Sequence, residues 1–187
     1  MPAPTAQMNV NLSSGELLGR GIQCLSRTIE DLKGVYRDEE SCGLLDQKTV
    51  VYQVEASHPV DEGNEGGLFW GTTFLNPGMV GDEYFTTKGY HHAKRSRGEF
   101  CLTVTGSGAL ILMDESRKTV FEPISTGTLH YVPAYAAHRI ANTGNSLLTV
   151  LACWPSDAGH DYDVIARDGF SARLRNIGGS PVLVEER

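Results

Sequence analysis

Hydrophobic and polar positions alternate along this chain in two textures. Residues 1–12, MPAPTAQMNVNL, read as a loose polar arm. Ser13 and Glu16 have the Ser-x-x-Glu spacing of a capping box, in which each side chain satisfies a backbone N–H at a helix start. Behind it Leu18, Ile22, Leu25, Ile29 and Leu32 recur at intervals of three and four, and Gly34 follows. That period places them on one stripe, so an amphipathic helix is expected over 16–33. Gly19 and Gly21 weaken its first turns, because glycine is a poor helix former.

From Lys48 onward the pattern shortens to β-rich runs. They read TVVYQVE, LFWGTTFL, EYFTTKGYHH, EFCLTVTG, GALILMDE, KTVFEPI, TLHYVP, HRIAN and SLLTVLACW. Between them lie HPVDEGNEGG, NPGMVGD, TGSG and NTGN, rich in Gly, Asn, Asp and Pro. Many short strands broken by turns point to a mainly β architecture, a sandwich or barrel over 48–170. A turn-rich segment, PSDAGHDYD, comes next, and a last hairpin is expected around Asn176-Ile177-Gly178-Gly179. No repeat or second domain is visible, so 1–187 is read as one domain.

Composition narrows the partners. A net charge of −7 argues against nucleic acid or anionic lipid. No apolar run reaches membrane-spanning length. The start, MPAPTAQMNVNLSSGE, has neither the basic nor the apolar region of a secretory signal. Cys24, Cys42, Cys101 and Cys153 are widely spaced and form no Cys-x-x-Cys pair. A reduced, cytoplasmic protein is the expectation.

The candidate chemistry sits in KGYHHAKRSRGE, where His91 and His92 precede Glu99. Adjacent residues on a strand face opposite ways, so only one of the two histidines can share the face of an inward ligand. Gly106 follows Glu99 by seven residues, and GTLHYVPAYAAHRIAN carries Gly127, Pro133, His138 and Asn142. Together these resemble the two signature motifs of the cupin superfamily, whose small jelly-roll barrel (a double-stranded β-helix) gathers histidines and a glutamate from neighbouring strands. Two imidazoles and one carboxylate on rigid strands hold a divalent metal and leave coordination positions open.

Where cupins usually show His-x-His, this chain has Tyr90-His91-His92. Alternation turns Tyr90 and His92 inward and His91 away, giving a first shell of His92, Glu99 and His138. Only a bulge at Gly89 would rotate His91 inward. Tyr90 is left as a weak fourth ligand, a hydrogen-bond donor to substrate, or packing. The same alternation puts Cys101 and Thr103 on the face of Glu99.

Further detail is more specific. TTKGYHHAK, VPAYAAHRIANTG and above all PSDAGHDYDVIARDGF resemble the cupin-type phosphoglucose isomerases, over roughly Tyr52 to Phe170. The resemblance implies a homodimer that interconverts glucose 6-phosphate and fructose 6-phosphate with one divalent ion (Fe, Mn, Zn or Ni). It carries the metal ligands onto His92, Glu99 and His138, with Tyr90 replacing the first family histidine. Phosphate-binding positions fall on Tyr52, Thr73, Thr87 and Gly89, while His160 and Tyr162 match residues lining the sugar site. Trp154 stands where the family has a tyrosine, and Cys101 where it has another aromatic residue.

A phosphate monoester needs local positive charge in an acidic protein, and Lys88, Lys94, Arg95 and Arg97 offer it within ten positions. Hydroxyls of Thr73 and Thr87 and the Gly89 N–H are further donors. Glu99 is the candidate base for moving hydrogen between C1 and C2, and His160 the candidate for proton exchange at O5 or O1. A carboxylate bound to metal is a poorer base, so a hydride shift between the carbons stays open. Two rivals share the ligand set: an oxygen-activating cupin dioxygenase, and a non-catalytic cupin that binds sugar phosphates.

Overall fold

The computed structural model describes residues 8–186. The first seven residues of the expected arm lie outside them. In chain order the strands are β1 (Asn9–Val10), β2 (Leu17–Leu18), β3 (Gln23–Thr28), β4 (Val50–Ser57), β5 (Leu68–Leu75), β6 (Met79–Val80), β7 (Glu83–Tyr84) and β8 (Glu99–Thr105). They continue with β9 (Ser107–Met113), β10 (Thr119–Ser125), β11 (Leu129–Val132), β12 (Ala137–Ala141), β13 (Leu148–Pro155), β14 (Ala172–Ile177) and β15 (Ser180–Glu185). Two short α-helices, α1 (Glu39–Leu44) and α2 (Asp163–Asp168), complete the set with a 3-10 turn at Glu30–Leu32.

Two antiparallel sheets face each other. One runs β11-β8-β13-β5-β4-β3 and the other β10-β9-β12. Their inner faces share one core, with Val51, Leu75, Val132, Leu148 and Val150 from the first and Leu110, Leu112, Ile124 and Ile140 from the second. Among the described residues the strands close no continuous hydrogen-bonded barrel. The mainly β expectation holds.

Both faces of the smaller sheet are covered, which is why Gly108 to Met113 are all buried. Its outer residues Ala109, Ile111 and Met113 pack with Ile165, Phe170 and Leu174 from the C-terminal part. There β14 and β15 form the expected hairpin, turned by Gly178 and Gly179 at φ 61° and 86°. Such a two-residue turn needs two left-handed positions, which glycine adopts without strain.

The helix expected over 16–33 is not formed. Asn11 builds a turn instead, accepting from Ser13 N–H on its side chain and from Gly15 N–H on its carbonyl. Residues 9–10 then pair with 17–18, so the end of the expected loose arm is a strand. Gln23 to Thr28 form an edge strand hydrogen-bonded along β4. Of the five apolar positions only Ile29 and Leu32 reach the core, while Leu18 and Leu25 remain 46% exposed. Glycines at 19 and 21 raise the cost of a helix, and a waiting sheet edge satisfies the same backbone groups.

Candidate active site

The two sheets each deliver one ligand to the same point. Glu99 opens β8 and points to the inner side with Cys101 and Thr103, all three buried. His138 lies on β12 opposite Leu112, whose side chain belongs to the shared core. The chain between 85 and 92 extends the smaller sheet irregularly, through bridges Thr86–Ala141 and Tyr90–His138. His92 follows that bridge. One donor atom from each of His92, Glu99 and His138 lies within 4.8 Å of the others.

Their orientation suits a cation. The His92 ring faces the Arg97 carbonyl through Nδ1 at 3.0 Å, and its Nε2 stands 3.3 Å from Glu99 Oε2. With the Nδ1 proton donated to that carbonyl, the Nε2 lone pair is turned to the cluster, as in metal-bound histidines. His138 Nε2 is 3.5 Å from the same carboxylate oxygen, and both its ring nitrogens are buried without a hydrogen-bond partner. An orphaned buried ring nitrogen facing a carboxylate is the chemistry of a divalent-ion site, so the residues fit such an ion.

Burial pushes the Glu99 carboxyl up, but His138 and His92 outweigh it and hold it well below the usual carboxylate range. Cys101 Sγ stands 3.5 Å from Glu99 Oε1, so the two carboxylate oxygens have different neighbours. Burial and that carboxylate keep the Cys101 thiol protonated.

Tyr90 shares the face of His92, and its Oη lies 3.4 Å from Glu99 Oε2. Its ring meets His138 at 4.4 Å and His160 at 4.5 Å between centroids. His91 turns the other way, exchanging backbone hydrogen bonds with Asp161. Gly89 does have a left-handed φ of 79°, yet this bend leaves His91 outside the cluster.

The 157–162 segment forms the rim. His160 is exposed and lies parallel to Tyr162, ring centroids 5.9 Å apart and planes 8° from parallel. Trp154 is buried between Phe69 and His160. Asp157 ties this rim to the 92–97 loop by accepting from Lys94 Nζ at 2.7 Å and from Arg97 at 2.9 and 2.7 Å. Asp161 does the same with Arg95 at 2.6 Å. Three cations of the basic run are thereby neutralised, and Lys88 is left facing the site.

The four expected phosphate positions do not converge equally. Thr73 is on the inner side of β5, paired with Val54 and Val150. Thr87 Oγ1 accepts from Ile140 N–H at 3.1 Å. Gly89 is closely packed: an added Cβ would stand 2.8 Å from the Phe170 ring. Tyr52 is buried on β4, where burial raises its phenol while the Lys88 backbone N–H and the Arg27 guanidinium oppose the rise. Arg27 was hidden from the sequence reading, because a helix over 16–33 would send it elsewhere. A strand assignment for QCLSRT would have exposed it.

Comparison with known proteins identifies the family. A family model described as Glucose-6-phosphate isomerase (GPI) matches residues 26–182. The chain is similar to "Glucose-6-phosphate isomerase" of Pyrococcus horikoshii, 42% identical over 180 residues that cover 95% of this chain and 93% of the relative. The protein of that name from Thermococcus onnurineus is 40% identical over 179 residues, with 95% and 93% covered. One from Sinorhizobium medicae is 36% identical, covering 88% of this chain and 77% of the other. Among solved structures, a Lactobacillus farciminis oxalate decarboxylase–formate complex matches with a TM-score of 0.46 and 14% identity, over 59% of this chain and 30% of that one.

Proposed function

The chain belongs to the glucose-6-phosphate isomerase family, and we propose that it interconverts glucose 6-phosphate and fructose 6-phosphate at a divalent-ion site made by His92, Glu99 and His138. The observation that carries the metal dependence is the orphaned His138 Nε2, 3.5 Å from Glu99 Oε2. A bound ion supplies a Lewis acid for the sugar oxygens O1 and O2, where negative charge develops during aldose–ketose exchange. Iron, manganese, zinc and nickel all suit two imidazoles and a carboxylate.

Glu99 uses Oε2 toward His92, His138 and Tyr90, which leaves Oε1 with Cys101 alone. A thiol is a weak donor, so Oε1 is the oxygen left open to take a proton from C2 and return it to C1, although the two imidazoles make the carboxylate a weaker base than usual. The O2 proton passes to O1 in the same conversion. Direct hydride movement between the carbons needs no such base. Turnover in deuterated water separates the two, since only the proton route incorporates solvent deuterium at C1.

His160 serves at the mouth, where it can exchange a proton with O5 or O1. Although the residue is exposed, crowding by the neighbouring side chains lowers its pKa while Glu99 pulls the other way. That favours the neutral ring, which can both give and accept a proton. Tyr52, Thr73, Thr87, Gly89 and Tyr162 hold the sugar phosphate.

We also read the chain as a single domain acting in the cytoplasm as a homodimer. Exposed Phe100, Leu129 and Tyr131 on the outer side of β8 and β11 support an apolar self-contact. No helix among the described residues is long and apolar enough to cross a membrane.

The test is a coupled assay with fructose 6-phosphate, after chelation and after restoring iron, manganese, zinc or nickel. Activity that disappears and returns supports the reading. A folded protein inactive with every ion overturns it and favours the binding-only alternative, whereas oxygen uptake with ferrous iron would favour the dioxygenase.

A further inference from the structure

We propose that Arg27 and Lys88 form the cationic end of the sugar site and set its preference for a phosphorylated over a neutral sugar. The inference rests on the reading of the site as one for a sugar phosphate, and it assigns that specificity to two residues on separate elements. Arg27 comes from the edge strand β3, in register with Tyr52 of β4. Paired residues in an antiparallel ladder share a face, so Arg27 rises on the inner side, where Tyr52 is buried. The Arg27 guanidinium and the Lys88 backbone both oppose the rise that burial gives the Tyr52 phenol, so both stand close to it.

Lys88 occupies the turn between Thr87 and Gly89. Its Nζ lies 5.3 Å from the centre of the Tyr162 ring, and that ring is 5.3 Å from Tyr90 at the metal cluster. Two aromatic rings therefore separate this cation from Glu99. One end of a bound sugar can meet the triad while the other meets Lys88.

Charge accounts for why these two matter. Lys94 and Arg97 are held by Asp157, and Arg95 by Asp161. Arg27 and Lys88 form no ion pair with a carboxylate among the described residues. Asp31 does act on Arg27, but its Oδ2 already accepts from Thr28 N–H and hydroxyl at 2.8 and 3.0 Å. Beside the pair stands the Thr87 hydroxyl, whose oxygen accepts from Ile140 and whose proton is free to donate elsewhere. Two cations with neighbouring hydroxyl donors suit a phosphate dianion, and a guanidinium can bind two of its oxygens at once.

Binding of sorbitol 6-phosphate, which cannot isomerise, measures this directly by calorimetry on the metal-loaded protein. Losing a hydrogen bond to a charged group weakens binding by roughly tenfold or more, so Arg27→Met and Lys88→Met are each expected to raise the dissociation constant by that factor. Arg27→Lys should recover part of the loss. The wild type should weaken steeply with added salt and the double variant much less. In turnover the change should appear in KM more than in kcat. Wild-type affinity in the folded double variant would overturn the proposal, and Lys88→Met decides alone if Arg27 variants fail to fold. A wild type that binds sorbitol 6-phosphate tightly yet leaves fructose 6-phosphate unchanged would sink the proposed reaction while leaving this assignment standing.

Discussion

Tyr90 and His138 exchange backbone hydrogen bonds at 3.2 and 3.0 Å, and their rings meet edge to face directly beside the His92–Glu99–His138 cluster. A residue at 90 is thus fixed on the same side as the second imidazole. Its side chain must enter the cluster, whatever its chemistry. In this chain that side chain is a phenol, kept protonated by burial and by Glu99.

Replacing Tyr90 by histidine should therefore add an imidazole where the backbone already aims it. Zinc or nickel affinity, measured by competition with a chromophoric chelator, should rise by roughly tenfold, since imidazole suits these ions better than a neutral phenol. Tyr90→Phe removes only the hydroxyl and should leave the three-ligand site able to load metal. Failure of Tyr90→His to tighten binding would mean that the position is too far from the ion to ligate.

The site was readable where strand alternation governs, and unreadable where it does not. His92 and Tyr90 share a face because alternate residues on an extended chain must, and the bridge to His138 keeps that chain extended. Spacing of three and four misled at Leu18, Ile22 and Leu25, because the period records which residues could be buried together and takes no account of a free sheet edge. Gly19 and Gly21 carried the contrary signal. Arg27 was lost through the same error, and with it the cation beside Tyr52. Ion pairs from Asp157 to Lys94 and Arg97 join residues some sixty positions apart, which no local pattern encodes.

Asp157 holds the rim to the 92–97 loop through two cations, so its loss should be felt at His160 and Tyr162. Asp157→Asn keeps the size and removes the charge. KM for fructose 6-phosphate should rise by roughly threefold to tenfold, because bonds between charged partners are about twice as strong as neutral ones. Metal content should stay at the wild-type level, since His92 remains held by the Arg97 carbonyl. If metal is lost together with affinity, the clamp positions the ligands and not only the rim.

His91 gives stability a pH dependence with a definite sign. Burial and nearby Arg95 pull its folded pKa down to about 4, against about 6.5 in the unfolded chain. Between those values the unfolded chain binds a proton that the folded state refuses, so acidification favours unfolding. The contribution is intact above the unfolded value and declines as pH falls from about 6.5 to about 4. Urea midpoints at pH 7 and pH 5 should differ more in wild type than in His91→Asn. Equal differences in the two proteins would remove His91 as the cause.

Gly89 is a position where backbone and packing together favour glycine. Its φ of 79° is left-handed, and an added Cβ would meet Phe170 Cε2 at 2.8 Å and Arg139 Cβ at 3.2 Å. Phe170 cannot retreat easily, since it is buried and the Arg139 guanidinium lies over its ring at 4.4 Å. Gly89→Ala thus combines left-handed strain with overpacking, each costing about 1–3 kcal/mol. Thermal unfolding should show that loss, and because Gly89 adjoins both Lys88 and Tyr90, the folded fraction should also bind sorbitol 6-phosphate more weakly. A variant with wild-type stability would mean that the turn can pass to an extended conformation without disturbing the bridge between Tyr90 and His138.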